Sequence, residues 1–292
     1  MTITGAVARL CRSTTLRWGV IPALLAVLAA VLVVILIPPA ARPDQLIPLY
    51  DNASPGQWAA ACSEVNHDGA GSFVVTDANE VRHDVGAPSA ASWAGMIDSC
   101  ARQGRAAVLG YVWTDYGRGG TASVPNIEAQ VRSWYASYPG RIGGIFFDGV
   151  SDLVPGTGIS NVTFYRDLAS YVHGHESRTS EVVFNFGANP SSGWMFNPPA
   201  VQDANLVVVF EGSYDRPAEH PYTGWAPASW ESRYPAADFA AIVYDTASTA
   251  GVPQPATVCD QLTRQHLGYL YVDISPSYSQ LPPYFSAFLR DC

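Results

Sequence analysis

Ile142-Gly143-Gly144-Ile145-Phe146-Phe147-Asp148 is an apolar run without polar alternation, closed by a carboxylate. A strand with one wet face alternates apolar and polar residues, whereas a run that is apolar throughout reads as a strand covered on both faces, the habit of parallel sheets. Working outward, the pattern recurs. Strands are expected at 46–50, 72–76, 106–113, 142–148, 181–186, 206–211, 240–244 and 269–274, with amphipathic or loop segments between them, the clearest at 55–65, 89–103, 127–138, 162–173 and 257–266. The stretches after the fifth and sixth strands are rich in Pro, Trp and Gly, which points to short helices and long loops there. Eight strand–helix units in one domain-length stretch predict an α/β fold of the (β/α)₈ barrel type over residues 46–292. A doubly wound open sheet is the alternative. It calls for a Gly-rich phosphate turn after the first strand, and Asp51-Asn52-Ala53-Ser54-Pro55 stands there instead.

The N-terminus is of another kind. From Trp18 to Ile37 the chain is continuously apolar apart from Gly19 and Pro22, and Arg9, Arg12 and Arg17 precede it. Twenty such residues span a bilayer, and the Arg excess places the start of the chain inside the cell. The expected organisation is a short cytoplasmic segment 1–17, a transmembrane signal-anchor 18–37, a linker 38–45 and an extracellular barrel. The localisation that follows is the cell membrane, crossed once by this helix. Secretion after cleavage at the poor small-residue site Pro39-Ala40-Ala41 is the alternative.

Every basic residue is Arg, and the part of the chain after Arg42 carries a net charge of −13. No basic patch exists to hold nucleic acid. Cys11 lies on the inner side, while Cys62, Cys100, Cys259 and Cys292 lie outside, an even set in an oxidising compartment. Cys62 and Cys100 fall in the first and second helical segments, Cys259 in the seventh and Cys292 at the end of the eighth. Neighbouring helices of a barrel thus suggest the pairs Cys62–Cys100 and Cys259–Cys292. No pair has the close spacing of a metal site, and no metal or cofactor is expected.

Chemistry in such a barrel sits at the C-terminal ends of the strands. Those ends deliver Tyr50 and Asp51; Thr76 and Asp77; Trp113, Thr114, Asp115 and Tyr116; Asp148; Asn185; Glu211; Tyr244 and Asp245; and Asp273. Acids and aromatics dominate, which suits a sugar: aromatic faces stack on pyranose rings, and glycoside cleavage uses two carboxyl groups flanking the scissile bond. Asp148 and Glu211 each follow an apolar strand that has no structural need of a charge, and they are the expected catalytic pair. Asn185, Tyr50, Trp113, Thr114, Asp115, Tyr116, Tyr244, Asp245 and Asp273 are the expected substrate-binding residues. No Gly-x-Ser-x-Gly elbow supplies a serine nucleophile. His173 and His175 sit at a helix end, where a cation suits the dipole. Asn52-Ala53-Ser54 and Asn161-Val162-Thr163 match the glycosylation pattern, one that arises often by chance.

With these residues located, the chain from about Leu46 onward resembles the spherulin-4-like family. The matching pieces are Ile47-Pro48-Leu49-Tyr50, Leu109-Gly110-Tyr111-Val112-Trp113-Thr114-Asp115-Tyr116, Trp134-Tyr135, Gly144-Ile145-Phe146-Phe147-Asp148 and the strand ending in Glu211. The resemblance implies a glycoside hydrolase of the endo-α-1,4-N-acetylgalactosaminidase type, with the family's fourth-strand Asp, fifth-strand Asn and sixth-strand Glu at Asp148, Asn185 and Glu211. Two features differ from the family's habit: Thr76-Asp77-Ala78-Asn79 follows the second strand, and Trp113 stands where a His is common. The expected partners are a polysaccharide substrate and, through the N-terminal helix, the membrane, with the protein acting as a monomer. A non-catalytic glycan-binding barrel on the cell surface is the competing expectation.

Overall fold

The structure is a computed structural model, and it describes residues 44–49, 54–67, 73–76, 91–100, 107–175, 180–196, 203–214, 221–244, 264–273, 281–282 and 285. The expected membrane span at 18–37 lies outside these residues. Among the described residues, no helix is long and apolar enough to cross a membrane.

Among the described residues there are eight strands, the first five of which alternate with α-helices. They run β1 (Asp44–Leu49), α1 (Pro55–His67), β2 (Phe73–Thr76), α2 (Ala91–Cys100), β3 (Val108–Trp113), α3 (Val124–Ser137), β4 (Ile142–Asp148), α4 (Val162–His175), β5 (Glu181–Asn185), β6 (Leu206–Ser213), β7 (Phe239–Tyr244) and β8 (Tyr269–Val272). All eight strands pair in parallel and in chain order, and β8 closes on β1 through Asp44↔Tyr269 and Gln45↔Leu270. This is the closed barrel expected from the uninterrupted apolar runs. Closure leaves no sheet edge and brings every strand's C-terminal end to one mouth.

After β5 and β6 the described chain forms only short 3₁₀ turns: Trp194–Phe196, Tyr222–Gly224, Glu231–Arg233 and Ala236–Asp238. Aromatic rings cover the barrel wall here. Phe239 meets Phe196 and Trp230 edge-on at 5.6 and 5.7 Å, and Phe210 meets Tyr222 and Trp225 at 5.2 and 5.7 Å. A buried aromatic side chain removes about 150–250 Å² from water, so a few of them cover much of the wall.

Most element boundaries shift by one to three residues from the sequence reading, and two of the shifts have a visible cause. β1 begins at Asp44, because the backbone N–H of Asp44 already donates to Gly268 O at 2.7 Å. β6 continues past Glu211 to Ser213, because Gly212 and Ser213 still pair with Val243 and Tyr244 after a register shift between Val208 and Phe210. Of the expected helix at 257–266, positions 257–263 lie outside the described residues. Cys62 and Cys100 form a disulfide between α1 and α2, with Cα atoms 4.6 Å apart, as the neighbouring-helix argument requires. Cys259 and Cys292 lie outside the described residues.

Candidate active site

The site grows from the last residues of β4. Register places Trp113 beside Asp148 and Tyr111 beside Phe146. Immediately after Asp148 the chain turns at Gly149, whose φ of +65° is a left-handed conformation. A Cβ there would also lie 2.6 Å from the Trp113 ring, so only glycine fits. The turn aims the Gly149 N–H back at Asp148 Oδ1, 2.8 Å away. From β3, the Thr114 N–H donates to Asp148 O at 2.9 Å. The Thr114 hydroxyl lies 2.8 Å from the carbonyl oxygens of both Asp148 and Gly149 and directs its single proton at that pair. Behind it stands Tyr165 of α4, a buried phenol that burial holds protonated well above its usual range.

Two side chains then take hold of the Asp148 carboxylate. The Tyr111 phenol donates to Oδ2 at 2.7 Å, and Asn185 Nδ2 donates to Oδ1 at 2.8 Å. The same Asn185 nitrogen donates to Glu211 Oε2 at 2.5 Å. Asn185 Oδ1 accepts the Gly187 N–H at 3.0 Å, and Gly187 O accepts the Glu211 N–H at 3.0 Å. An amide nitrogen has two protons, and here one faces each carboxylate. A flipped amide would set its oxygen against both, so the network fixes the orientation. The two carboxyl oxygens can be no further apart than the sum of their distances to the shared nitrogen, about 5.3 Å. Donors converging on Asp148 favour its ionised form.

The rim beside Asp148 is strained. Asp115 and Tyr116 are consecutive non-glycine residues with positive φ, 47° and 55°. They are held there by the Tyr116 N–H on Gly149 O at 2.8 Å and by Asn161 Nδ2 on Tyr116 O at 2.7 Å. Arg118 pairs with Asp115 at 3.0 Å and lies over the Tyr116 ring, and Tyr116 meets Trp113 edge-on at 5.3 Å. Such backbone outliers each cost about 1–3 kcal/mol and persist where surrounding structure over-determines them, often at sites of function.

Asp148, Asn185 and Glu211 are therefore brought together, with Trp113, Asp115 and Tyr116 half-buried on the adjoining rim. Tyr244 ends β7 and is half-buried, its carbonyl accepting the Tyr214 N–H at 3.0 Å. Thr114 departs from the substrate-binding expectation: it is 0% exposed, and its hydroxyl is turned onto main-chain oxygens of the β4 end. Asp273 is likewise 1% exposed, with its N–H on Val243 O and the Tyr271 phenol 3.4 Å from its carboxylate. Tyr50 and Asp245 lie outside the described residues. Asn161 is 2% exposed, and its amide protons go to Tyr116 O and Ser151 O, so in the folded protein it is a structural tie and no glycan acceptor. Asn52 is outside the described residues. His173 lies buried in α4 near the Arg166–Asp203 ion pair. Among the described residues, no three His, Cys, Asp or Glu side chains are grouped to hold a metal ion.

Two contributors escaped the sequence reading. Tyr111 sits two residues before Trp113, hence on the same face of β3, and that alternation was the available signal. Asp152 accepts the Trp194 Nε1–H at 2.7 Å and the Ser191 N–H, pinning the loop after β4 to the loop after β5. Nothing local in the sequence announces it.

Among solved structures, the chain is similar to Aspergillus clavatus Sph3 in complex with GalNAc, with a TM-score of 0.66 and 19% identity over 85% of this chain and 96% of that one. It is also similar to the Bacillus cereus spore cortex-lytic enzyme SleL, with a TM-score of 0.50 and 8% identity over 87% of this chain and 76% of that one. At these identities the likeness is one of fold. A comparison with curated protein sequences gives no match. The family model Spherulin4, spherulation-specific family 4, matches residues 45–291, and the chain belongs to that family.

Proposed function

We propose that this protein is a glycoside hydrolase that cuts an amino-sugar polysaccharide internally, with α-1,4-linked galactosamine or N-acetylgalactosamine as the substrate class. The observation that carries the reading is the Asp148–Asn185–Glu211 arrangement, two carboxyl groups within about 5.3 Å of each other across one amide. That upper limit on the facing oxygens lies below the roughly 6.5–9.5 Å of inverting glycosidases and favours the closer-set pair of those that retain anomeric configuration. Family membership and the GalNAc complex of Sph3 support the substrate class.

In this mechanism Glu211 protonates the leaving glycosidic oxygen as the C–O bond breaks. Asp148 either attacks the anomeric carbon or orients the substrate's own acetamido oxygen to do so. Glu211, now a carboxylate, then takes a proton from the water that releases the product with net retention. Asn185 holds both carboxylates in register through these steps. Trp113 and Tyr116 offer ring faces and edges to the sugar. The site is proposed to work outside the cytoplasm, on a protein tethered by residues 18–37, a reading that the Cys62–Cys100 disulfide supports.

The test is reducing-end release from a panel of galactosamine- and galactose-containing polysaccharides. Wild type is expected to release ends, with the configuration of the first-formed product retained by NMR. Glu211→Gln and Asp148→Asn are expected to lower release at least about 1,000-fold, the scale of losing an acid catalyst. Binding of these polymers by wild type without release would instead favour the glycan-binding barrel.

A further inference from the structure

Tyr111 touches Asp148 but is neither the acid nor the nucleophile of the proposed hydrolysis. It is buried, and its ring stacks on Phe146 with centroids 6.2 Å apart. Its main chain is held as firmly as its ring. Trp134 of α3 donates its indole N–H to Tyr111 O at 3.1 Å, and that indole packs where a Cβ on Gly110 would come within 2.7 Å. Phenylalanine would satisfy the packing. A buried phenol needs a partner, and this one is placed 2.7 Å from Asp148 Oδ2.

We infer that Tyr111 is a positioning residue that fixes both the direction and the charge state of Asp148. The inference rests on the hydrolase reading for its kinetic consequence alone. Gly149 N–H and Asn185 reach one oxygen of Asp148, and Tyr111 reaches the other. With donors on both oxygens, the carboxylate plane cannot rotate about the side chain. Two acids this close cannot both ionise freely, so their titrations are pushed apart, and the acid given the donors loses its proton first. Tyr111 thereby makes Asp148 the anion of the pair and leaves the shared proton to Glu211. Among the described residues, other titratable groups near Asp148 include Asp115 and Tyr116 of the strained turn, with Arg118 paired to Asp115, and Tyr165 of α4. Asp115 acts in the opposite sense to Tyr111, since a second negative charge opposes ionisation.

Tyr111→Phe keeps the ring, the stacking and the Trp134 contact and removes one oxygen. Titration of Asp148 in ¹³C-aspartate-labelled protein, its carboxyl resonance assigned by Asp148→Asn, is expected to show the midpoint moved up by about one pH unit in Tyr111→Phe, the scale of one charge-assisted hydrogen bond. Asp115→Asn should move it down. In catalysis, kcat of Tyr111→Phe is expected to fall about 10- to 100-fold with KM within about twofold, and the acid limb of the pH–rate profile should move up with the midpoint. An unmoved Asp148 midpoint overturns the inference whatever the activity. So does full activity with an unmoved acid limb. Failure of wild type to cleave any glycan overturns the hydrolase reading, while the titration still decides whether Tyr111 governs Asp148.

Discussion

Asp148 and Glu211 present carboxyl oxygens no more than about 5.3 Å apart, because a single amide nitrogen bonds to both. The bridge spans three neighbouring strands, β4, β5 and β6, so any change in it is felt at both acids together. Asn185 is 2% exposed, and water cannot readily replace it.

Asn185→Asp is therefore expected to be severe. A carboxylate has no proton to give to either neighbour, and a third acid raises the cost of ionising the first two. Activity should fall at least about 100-fold at neutral pH, in keeping with loss of an oriented donor at a charged site. The protein should remain folded, by circular dichroism, in mildly acidic buffer where the added acid is protonated. Unchanged kcat/KM on the substrate that wild type cleaves would contradict the bridging role.

Gly149→Ala tests the turn that aims the main chain at Asp148. An alanine would have to hold φ near +65° and place its methyl 2.6 Å from the Trp113 ring. The backbone term alone costs about 1–2 kcal/mol, and displacement of the indole adds to it. Urea unfolding should show that loss. Activity should drop more than the stability loss explains, because the Gly149 N–H moves off Asp148 Oδ1. A Gly149→Ala protein with wild-type midpoint and rate would refute this account.

A pH dependence of stability is expected from the opposite end of β7. Burial lifts the Asp238 carboxyl to about 6, against some relief from His266, and burial raises Glu231 as well. Both groups bind a proton more readily folded than unfolded. Their contribution is complete below the unfolded value near 4 and is lost as pH rises through about 6. Tm should fall between pH 4 and pH 7. Asp238→Asn should melt like wild type near pH 3 and be more stable at pH 7, by about 1–2 kcal/mol once solvent screening of a half-buried group is allowed for. A wild-type-minus-variant difference that does not change with pH would exclude the assignment.

The Cys62–Cys100 disulfide closes a loop across a sequence separation of 38. In the chain-entropy view, removing it from a loop of this length costs about 4 kcal/mol. Cys62→Ala/Cys100→Ala should lower Tm by several degrees while leaving kcat on the cleaved glycan unchanged, since both residues sit between α1 and α2, away from β4 and β6. Scanning calorimetry of the double variant beside wild type checks it.

The barrel was legible in the sequence because its cause is local. A strand buried on both faces must be apolar at every position, so runs such as Ile142–Asp148 and Leu206-Val207-Val208-Val209-Phe210 announce themselves. A carboxylate at the end of such a run is costly unless it is used or partnered, which singled out Asp148 and Glu211. Parallel order then put both at one mouth and brought Cys62 to Cys100. The hydrogen-bond partners were a different matter. Asn185 reaches both acids only because β4, β5 and β6 close at this register, with β6 shifted between Val208 and Phe210. Thr114 turned inward, and Asp115 and Tyr116 took left-handed conformations that no glycine foretold, because the loop they join is tied to Gly149 and Asn161 from elsewhere in the chain. Hydropathy and spacing are properties of neighbouring residues and determine which segments are strands and where their charges emerge. Which donor meets which carboxylate depends on atoms from three strands and two loops, and only the closed barrel decides that.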